Sequence, residues 1–136
     1  MVTGYGRIGK VLARYLHMMG ADVTVAARKA FDRDRISASG MTAADYPALD
    51  WSRYRVVVNT VPAEVIDKEA IGEMREDVFI IDLASLPGGV DFAAAKAREI
   101  SCIHALSLPG KTAPLTAGII IKDTIMNLLD REEIPG

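Results

Sequence analysis

Little in this sequence could cross-link a fold covalently or hold a metal ion. A single cysteine, Cys102, rules out an intramolecular disulfide, and two isolated histidines, His17 and His104, provide no metal-ligand spacing. Cys102 lies in the apolar run SCIHAL, where a reduced, buried thiol is expected. Charge of one sign is equally scarce. The 16 Lys and Arg against 18 Asp and Glu leave a net charge of -2, without the basic footprint of a nucleic-acid binder. The longest apolar runs fall well short of the roughly 20 residues that a membrane span needs. No basic-then-apolar leader follows Met1. No nucleic-acid partner, no membrane partner and a cytoplasmic location are therefore expected. Repeats, low-complexity tracts and charge blocks are also missing.

What is present is an ordinary globular composition, with 50% hydrophobic and 25% charged residues in a chain of 136. That length predicts one domain around one core. Four short apolar runs, DVTVAA, RVVVNTV, VFIIDLA and SCIHAL, alternate with helical patterns. Continuous apolarity predicts strands buried on both faces, hence a parallel sheet between helices in an α/β architecture. Ile8, Val11, Leu12, Tyr15, Leu16 and Met19 recur at helical spacing, and Gly20 supplies a left-handed cap. Asp67 and Asp91 are expected as N-caps of two further helices. A last helix is predicted to start between Pro114 and Thr116 and to use Ile119, Ile121, Ile125, Met126, Leu128 and Leu129 to cover the sheet. Residues 41 to 54 suggest only a short edge strand near Met41 and an irregular link through Pro47.

Gly4, Gly6 and Gly9 form G-x-G-x-x-G between a first strand and the first helix. The first glycine serves a tight turn, the second the approach of a pyrophosphate to bare backbone, and the third close helix–strand packing. Strand, loop, amphipathic helix and second strand follow in the order a dinucleotide site requires. The fold expected is a three-layer Rossmann fold, a doubly wound parallel sheet of order 3-2-1-4-5-6. Its first strand is truncated: only Met1, Val2 and Thr3 precede Gly4. Residues 1–136 are accordingly read as a Rossmann domain excised from a longer two-domain chain.

After the second strand, where NAD enzymes place an acidic residue, stand Ala27, Arg28 and Lys29. A carboxylate there would repel a 2′-phosphate, whereas a guanidinium bonds it and stacks on adenine. The pattern points to NADP rather than NAD, with two solvated charges as the plain alternative. The cofactor-binding set is Gly4, Tyr5, Gly6, Arg7, Ile8 and Gly9 of the loop, with Ala27, Arg28 and Lys29 beside the second strand. Asn59, Thr60, Val61 and Pro62 leave the fourth strand and Leu83, Ala84 and Ser85 the fifth, because ligands bind at the carboxyl ends of such strands. The turn DLASLPGG, with Asp82, Ser85, Pro87, Gly88 and Gly89, is expected at the nicotinamide end, with a simple proline and glycine turn as the alternative. Acid–base groups are few. His104 is either a packed core histidine or a catalytic group, His17 is expected to face solvent, and Lys111 is either a substrate ligand or a surface lysine.

The stretches GYGRIGKVLAR, VAAR, VNTVPA, IIDLASLPGGVDFAAAKAREI and LPGKTAPLTAG together resemble the C-terminal NADP-binding domain of the dipicolinate synthase A-subunit family. The likeness spans essentially the whole chain and is weakest over residues 30 to 54. It implies an oxidoreductase that converts a dihydrodipicolinate-type precursor into dipicolinate in the mother cell of a sporulating bacterium. It also implies a dicarboxylate substrate held by Lys111, Thr112 and Thr116, together with a flavoprotein-like second subunit. A homo-oligomer is compatible with it. One position departs: where the family pattern has a lysine after Pro114, this chain has Leu115, so that either Lys111 takes that part or this member is altered. The alternatives are a non-catalytic NADP-binding module and another NADP-dependent dehydrogenase of a cyclic or keto acid.

Overall fold

A computed structural model of the chain describes residues 1–105, 119, 122, 123 and 125–127. The apolar runs pair in parallel as β1 (Val2–Thr3), β2 (Thr24–Ala26), β3 (Thr42–Ala44), β4 (Val56–Asn59), β5 (Phe79–Asp82) and β6 (Ser101–His104). They form one six-stranded sheet of order β3-β2-β1-β4-β5-β6, as the sequence predicts. Parallel neighbours need crossovers, which α1 (Arg7–Met18), α2 (Ala30–Ala38), α3 (Lys68–Glu73) and α4 (Phe92–Ala97) supply. Between β3 and β4 the chain takes two short 3-10 turns, Tyr46–Ala48 and Trp51–Arg53.

Two cores flank the sheet, and adjacent strand residues serve opposite ones. Val58, Phe79 and Ile81 join Val2, Val25, Leu12, Ile36 and Ile125 on one face. Val57 and Ile80 join Trp51, Ile66, Ile71 and Ala95 on the other. Strands buried on both sides explain the unbroken apolar runs. Asp67 accepts a hydrogen bond from Ala70 N at 2.8 Å and Asp91 from Ala94 N at 2.9 Å, the expected N-caps of α3 and α4. Each such cap is worth about 1 kcal/mol. Arg98, the C-cap of α4, ties that helix to α3 by donating from Nη1 to the carbonyls of Ile71, Gly72 and Met74.

The three buried polar residues among those described, Thr3, Asn59 and Asp82, are the last residues of β1, β4 and β5. They stand in register, Thr3 beside Asn59, Asn59 beside Asp82, and Asp82 beside His104 of β6. Thr3 Oγ1 donates to Asn59 Oδ1 at 2.7 Å, and Asn59 Nδ2 donates to Asp82 Oδ1 at 2.7 Å. Asp82 also accepts from Ala84 N at 3.0 Å and from Gly89 N at 2.9 Å, which closes the turn after β5 around its carboxyl group.

Several expectations are corrected. Met19 lies beyond the end of α1 and is 50% exposed, so the apolar stripe ends at Leu16. Residues 30–38, assigned no element from sequence, form α2, which buries only Ile36. His17 is half-buried rather than solvent-facing, with its Nε2 3.3 Å from where a Cβ on Gly40 would sit. Cys102 is half-buried rather than buried, and desolvation together with the charge of Asp82 pushes its thiol up to about 12. It therefore stays protonated and unreactive. Of the predicted last helix, residues 119, 122, 123 and 125–127 are helical and Ile125 enters the first core. Ile121, Leu128 and Leu129 lie outside the described residues.

Asp82→Ala would leave three N–H donors without an acceptor in a site closed to water. A loss of about 3–5 kcal/mol of unfolding free energy is expected. Urea denaturation checks this, and a loss below about 1 kcal/mol would contradict the weight assigned to that carboxyl group.

Candidate functional site

The glycine loop shows three different physical demands. Gly4 has φ +95°, and a Cβ there would stand 2.6 Å from Thr60 Oγ1 and 2.7 Å from Val61 Cγ2. At Gly9 a Cβ would come within 2.3 Å of Gly4 O, so α1 can approach β1 only over hydrogen. Gly6 differs from both. A Cβ on it would meet no protein atom within 4 Å, and its φ of -78° suits any residue. Nothing within the described residues calls for glycine at position 6. A glycine at this N-cap leaves the backbone bare to an approaching ligand.

Gly6 is also the N-cap of α1, with no side-chain capping bond. The first helical hydrogen bond runs from Lys10 N to Gly6 O at 3.0 Å, so the amides of Arg7, Ile8 and Gly9 precede the ladder and form the positive end of a 12-residue helix. That is the arrangement that takes a phosphate. Gly4, Tyr5, Gly6, Ala27, Arg28, Lys29, Thr60, Val61 and Pro62, all expected from sequence, line one pocket of about 270 Å³. Thr60 Oγ1 donates to Thr3 O at 2.8 Å, which fixes one wall to β1.

Two residues of the pocket were not read from the sequence, Asp32 and Tyr46. Asp32 comes from the first turn of α2, a helix with no apolar periodicity to reveal it. Tyr46 arrives through the pairing of β3 with β2. Burial pushes the Tyr46 hydroxyl up to about 12, against the opposing effects of the Arg28 charge and the Gly4 backbone. It is a neutral phenol at any physiological pH. Arg28 and Lys29 are both exposed at the pocket edge, so the site holds two cations and one carboxylate.

The remaining expected residues stand elsewhere. Arg7 and Ile8 open α1, and Gly9 packs beneath the loop. Asn59 is fully buried. Its Nδ2 donates to Asp82 and to Val61 O at 2.9 Å, and its Oδ1 accepts from Val61 N at 3.0 Å. The side chain shapes the loop over the pocket from below. Leu83 and Ala84 are buried at the end of β5, and Ser85 is exposed. Asp82, expected at the nicotinamide end of the turn, is wholly buried under it. His104 ends β6 with its ring 5.1 Å from Phe92, its Nε2 3.3 Å from Ala84 O and 4.0 Å from Asp82 Oδ2. It is a half-buried strand-end residue beside the turn after β5, not an interior one. Lys111, Thr112, Leu115 and Thr116 lie outside the described residues.

Among the described residues no group of three His, Cys, Asp or Glu could hold a metal ion. Within the same residues no helix is long and apolar enough to cross a membrane.

Residues 1–86 match the family described as D-isomer specific 2-hydroxyacid dehydrogenase, NAD binding domain. The A subunit of dipicolinate synthase from Bacillus subtilis (strain 168) is 35% identical over 130 residues, which cover 94% of this chain and 44% of that protein. The crystal structure of the A subunit of dipicolinate synthase from Bacillus halodurans is 40% identical with a TM-score of 0.77, covering 94% of this chain and 45% of the other. The crystal structure of its Bacillus subtilis counterpart is 33% identical at the same TM-score of 0.77, covering 99% and 46%. The chain thus spans less than half the length of these relatives. A match over most of the chain, falling on the glycine loop and the pocket just described, means that this is an NAD(P)-binding domain of the D-isomer specific 2-hydroxyacid dehydrogenase family and a homologue of the A subunit of dipicolinate synthase.

Proposed function

We propose that the chain binds NADP in the pocket between the glycine loop and Arg28, as the cofactor domain of a dipicolinate synthase. The observation that carries this reading is Gly6, which stands at the amino end of α1 with no protein atom among the described residues within 4 Å of where a Cβ would sit. The pyrophosphate would lie over it, on the amides of Arg7, Ile8 and Gly9. Arg28 and Lys29 would take the 2′-phosphate, and Tyr46, neutral and half-buried, would border the adenosine. The bound dinucleotide supplies hydride acceptance. The chain's own residues orient it, and the buried Asn59 and Asp82 fix the loops above the strand ends.

By its likeness to the named relatives, the substrate is a dihydrodipicolinate-type dicarboxylate and the product dipicolinate. Aromatisation of the ring drives the reaction. Lys111, Thr112 and Thr116 are the residues proposed to hold the carboxylates. His104, whose imidazole stands beside the turn after β5, is the described residue proposed for proton exchange. A flavoprotein-like second subunit, self-association and a place in the mother-cell cytoplasm during sporulation belong to the same proposal. Asp32 favours a second reading, binding of NAD, because its carboxylate can accept from ribose hydroxyls and opposes a phosphate.

Calorimetric titration with both dinucleotides decides between these. Arg28→Ala is expected to weaken NADP at least about tenfold, the worth of a charge-assisted bond, and to leave NAD nearly unchanged. Equal losses for both would refute the assignment of Arg28. Asp32→Asn should tighten NADP by about fivefold, since it removes a like charge facing the phosphate. If instead it weakens NAD and leaves NADP alone, NAD is the cofactor. Gly6→Ser keeps a good N-cap and meets no protein atom, so thermal stability is expected to hold within about 0.5 kcal/mol while both dinucleotides lose affinity. Undiminished binding by that variant would remove the phosphate from the loop.

A further inference from the structure

Choosing between two dinucleotides that differ by one phosphate requires the discriminating cation to be held in place. The Arg28 side chain is exposed, and among the described residues it has neither a hydrogen bond nor an ion pair. Its backbone, by contrast, is pinned. Arg33, one turn into α2, reaches back so that Nη1 donates to Ala27 O at 2.8 Å and to Arg28 O at 2.7 Å. One guanidinium nitrogen carries two hydrogens, and here each has a carbonyl. Asp45, just after β3, places Oδ2 3.3 Å from the same nitrogen. Its Oδ1 accepts from Tyr46 N at 3.0 Å and so sets the start of the turn that brings Tyr46 into the pocket. Ala27 N completes the corner by donating to Ala44 O at 3.0 Å.

We propose that Asp45 and Arg33 form a latch that fixes Arg28 and Tyr46 relative to each other, and through them sets the preference for the phosphorylated dinucleotide. The inference rests on the reading of the pocket given above. Both are positioning residues rather than ligands. The hydrogens of Arg33 Nη1 are committed to two carbonyls, and its charge is balanced by the carboxylate beside it, so the pair adds little net potential at the phosphate. Its contribution is geometric. The turn 27–29 is tied to α2 and to the end of β3 at one point, which restricts where the Arg28 side chain can begin.

A charge-neutral double variant separates geometry from electrostatics. Arg33→Met with Asp45→Asn removes one charge of each sign, keeps an unbranched apolar stem at 33 and the side-chain size at 45, and abolishes the latch. NADP and NAD affinities are measured by calorimetry on the purified variant, with circular dichroism to establish that it is folded. The expected result is a loss of about tenfold in NADP affinity, with NAD changed less than about twofold. Amide exchange at Arg28 and Lys29 should become faster. A folded double variant with the wild-type ratio of affinities overturns the latch. Arg33→Lys, which keeps the charge but is one bond shorter and so draws its nitrogen back from the two carbonyls, is the second measurement should the double variant not fold. It should lose NADP preference as well, and an unchanged ratio there overturns the proposal equally. Wild-type protein that binds both dinucleotides alike would overturn the reading of the pocket and the latch together. Preference that is lost in Arg28→Ala but kept in the latch variants overturns the latch alone.

Discussion

The carboxyl group of Asp82, sealed beneath the turn after β5, is the constraint on which the strand-end architecture depends. Burying such a group is costly unless every lone pair finds a donor. Here the donors come from three places in the chain, the side chain of Asn59 and the backbone of Ala84 and Gly89. The packing around them leaves no slack. A Cβ on Gly89 would lie 2.3 Å from Asn59 Nδ2, and one on Gly88 would lie 2.8 Å from Asp82 Oδ2. Among the described residues no buried side-chain nitrogen or oxygen lacks a partner. Register enforces this as much as chemistry does, since a one-residue slip of β5 would bring Ile81 to Asn59 and leave the carboxyl group unpaired.

The carboxyl-edge row of the sheet divides the work between its two halves. Toward β3 the row is Ala26 beside Ala44, small residues that leave room for the pocket above them. Toward β6 it is Asn59, Asp82 and His104, polar residues that tie down the loops. Thr3 sits between the halves and belongs to both. Its hydroxyl feeds the polar network, while its carbonyl accepts from Thr60 N at 3.0 Å and from Thr60 Oγ1 at 2.8 Å. The glycine loop and the loop opposite it are therefore anchored to the same residue. In the proposed binding mode recognition falls to backbone amides and exposed cations, and rigidity to the buried side chains of Thr3, Asn59 and Asp82.

How much of this could be read from the sequence depends on where each signal resides. The glycine loop, the apolar runs and the strand order were legible because each depends on local spacing or on a general rule of parallel sheets. The caps Asp67 and Asp91 were legible for the same reason. Helix α2 was not, because its segment AFDRDRISA buries one residue and alternates charges elsewhere. Asp32 and Tyr46 were missed as a consequence, being brought to the pocket by α2 and by the pairing of β3. Asn59 and Asp82 were singled out as residues at the carboxyl ends of strands, a position that suits either a ligand contact or a buried tie. Only the register of three strands distinguishes the two, and register is a property of the assembled sheet.

A central strand of two residues would ordinarily be too short to organise a sheet. Here the ladder is extended by groups on either side of the strand. Val58 N donates to Met1 O at 2.9 Å, Gly4 N to Ala26 O at 2.9 Å and Thr60 N to Thr3 O at 3.0 Å. The turn glycine thus still pairs with β2 although its φ has left the extended region. That has a consequence for the site. The residue that begins the glycine loop is also a member of the sheet, so the loop inherits the position of β1 without an intervening flexible link. The side chains of Thr3 and Asn59 then carry the same positional constraint across to Asp82. A displacement at the turn after β5 could not be absorbed locally. It would have to be shared with the loop on which the dinucleotide is proposed to rest.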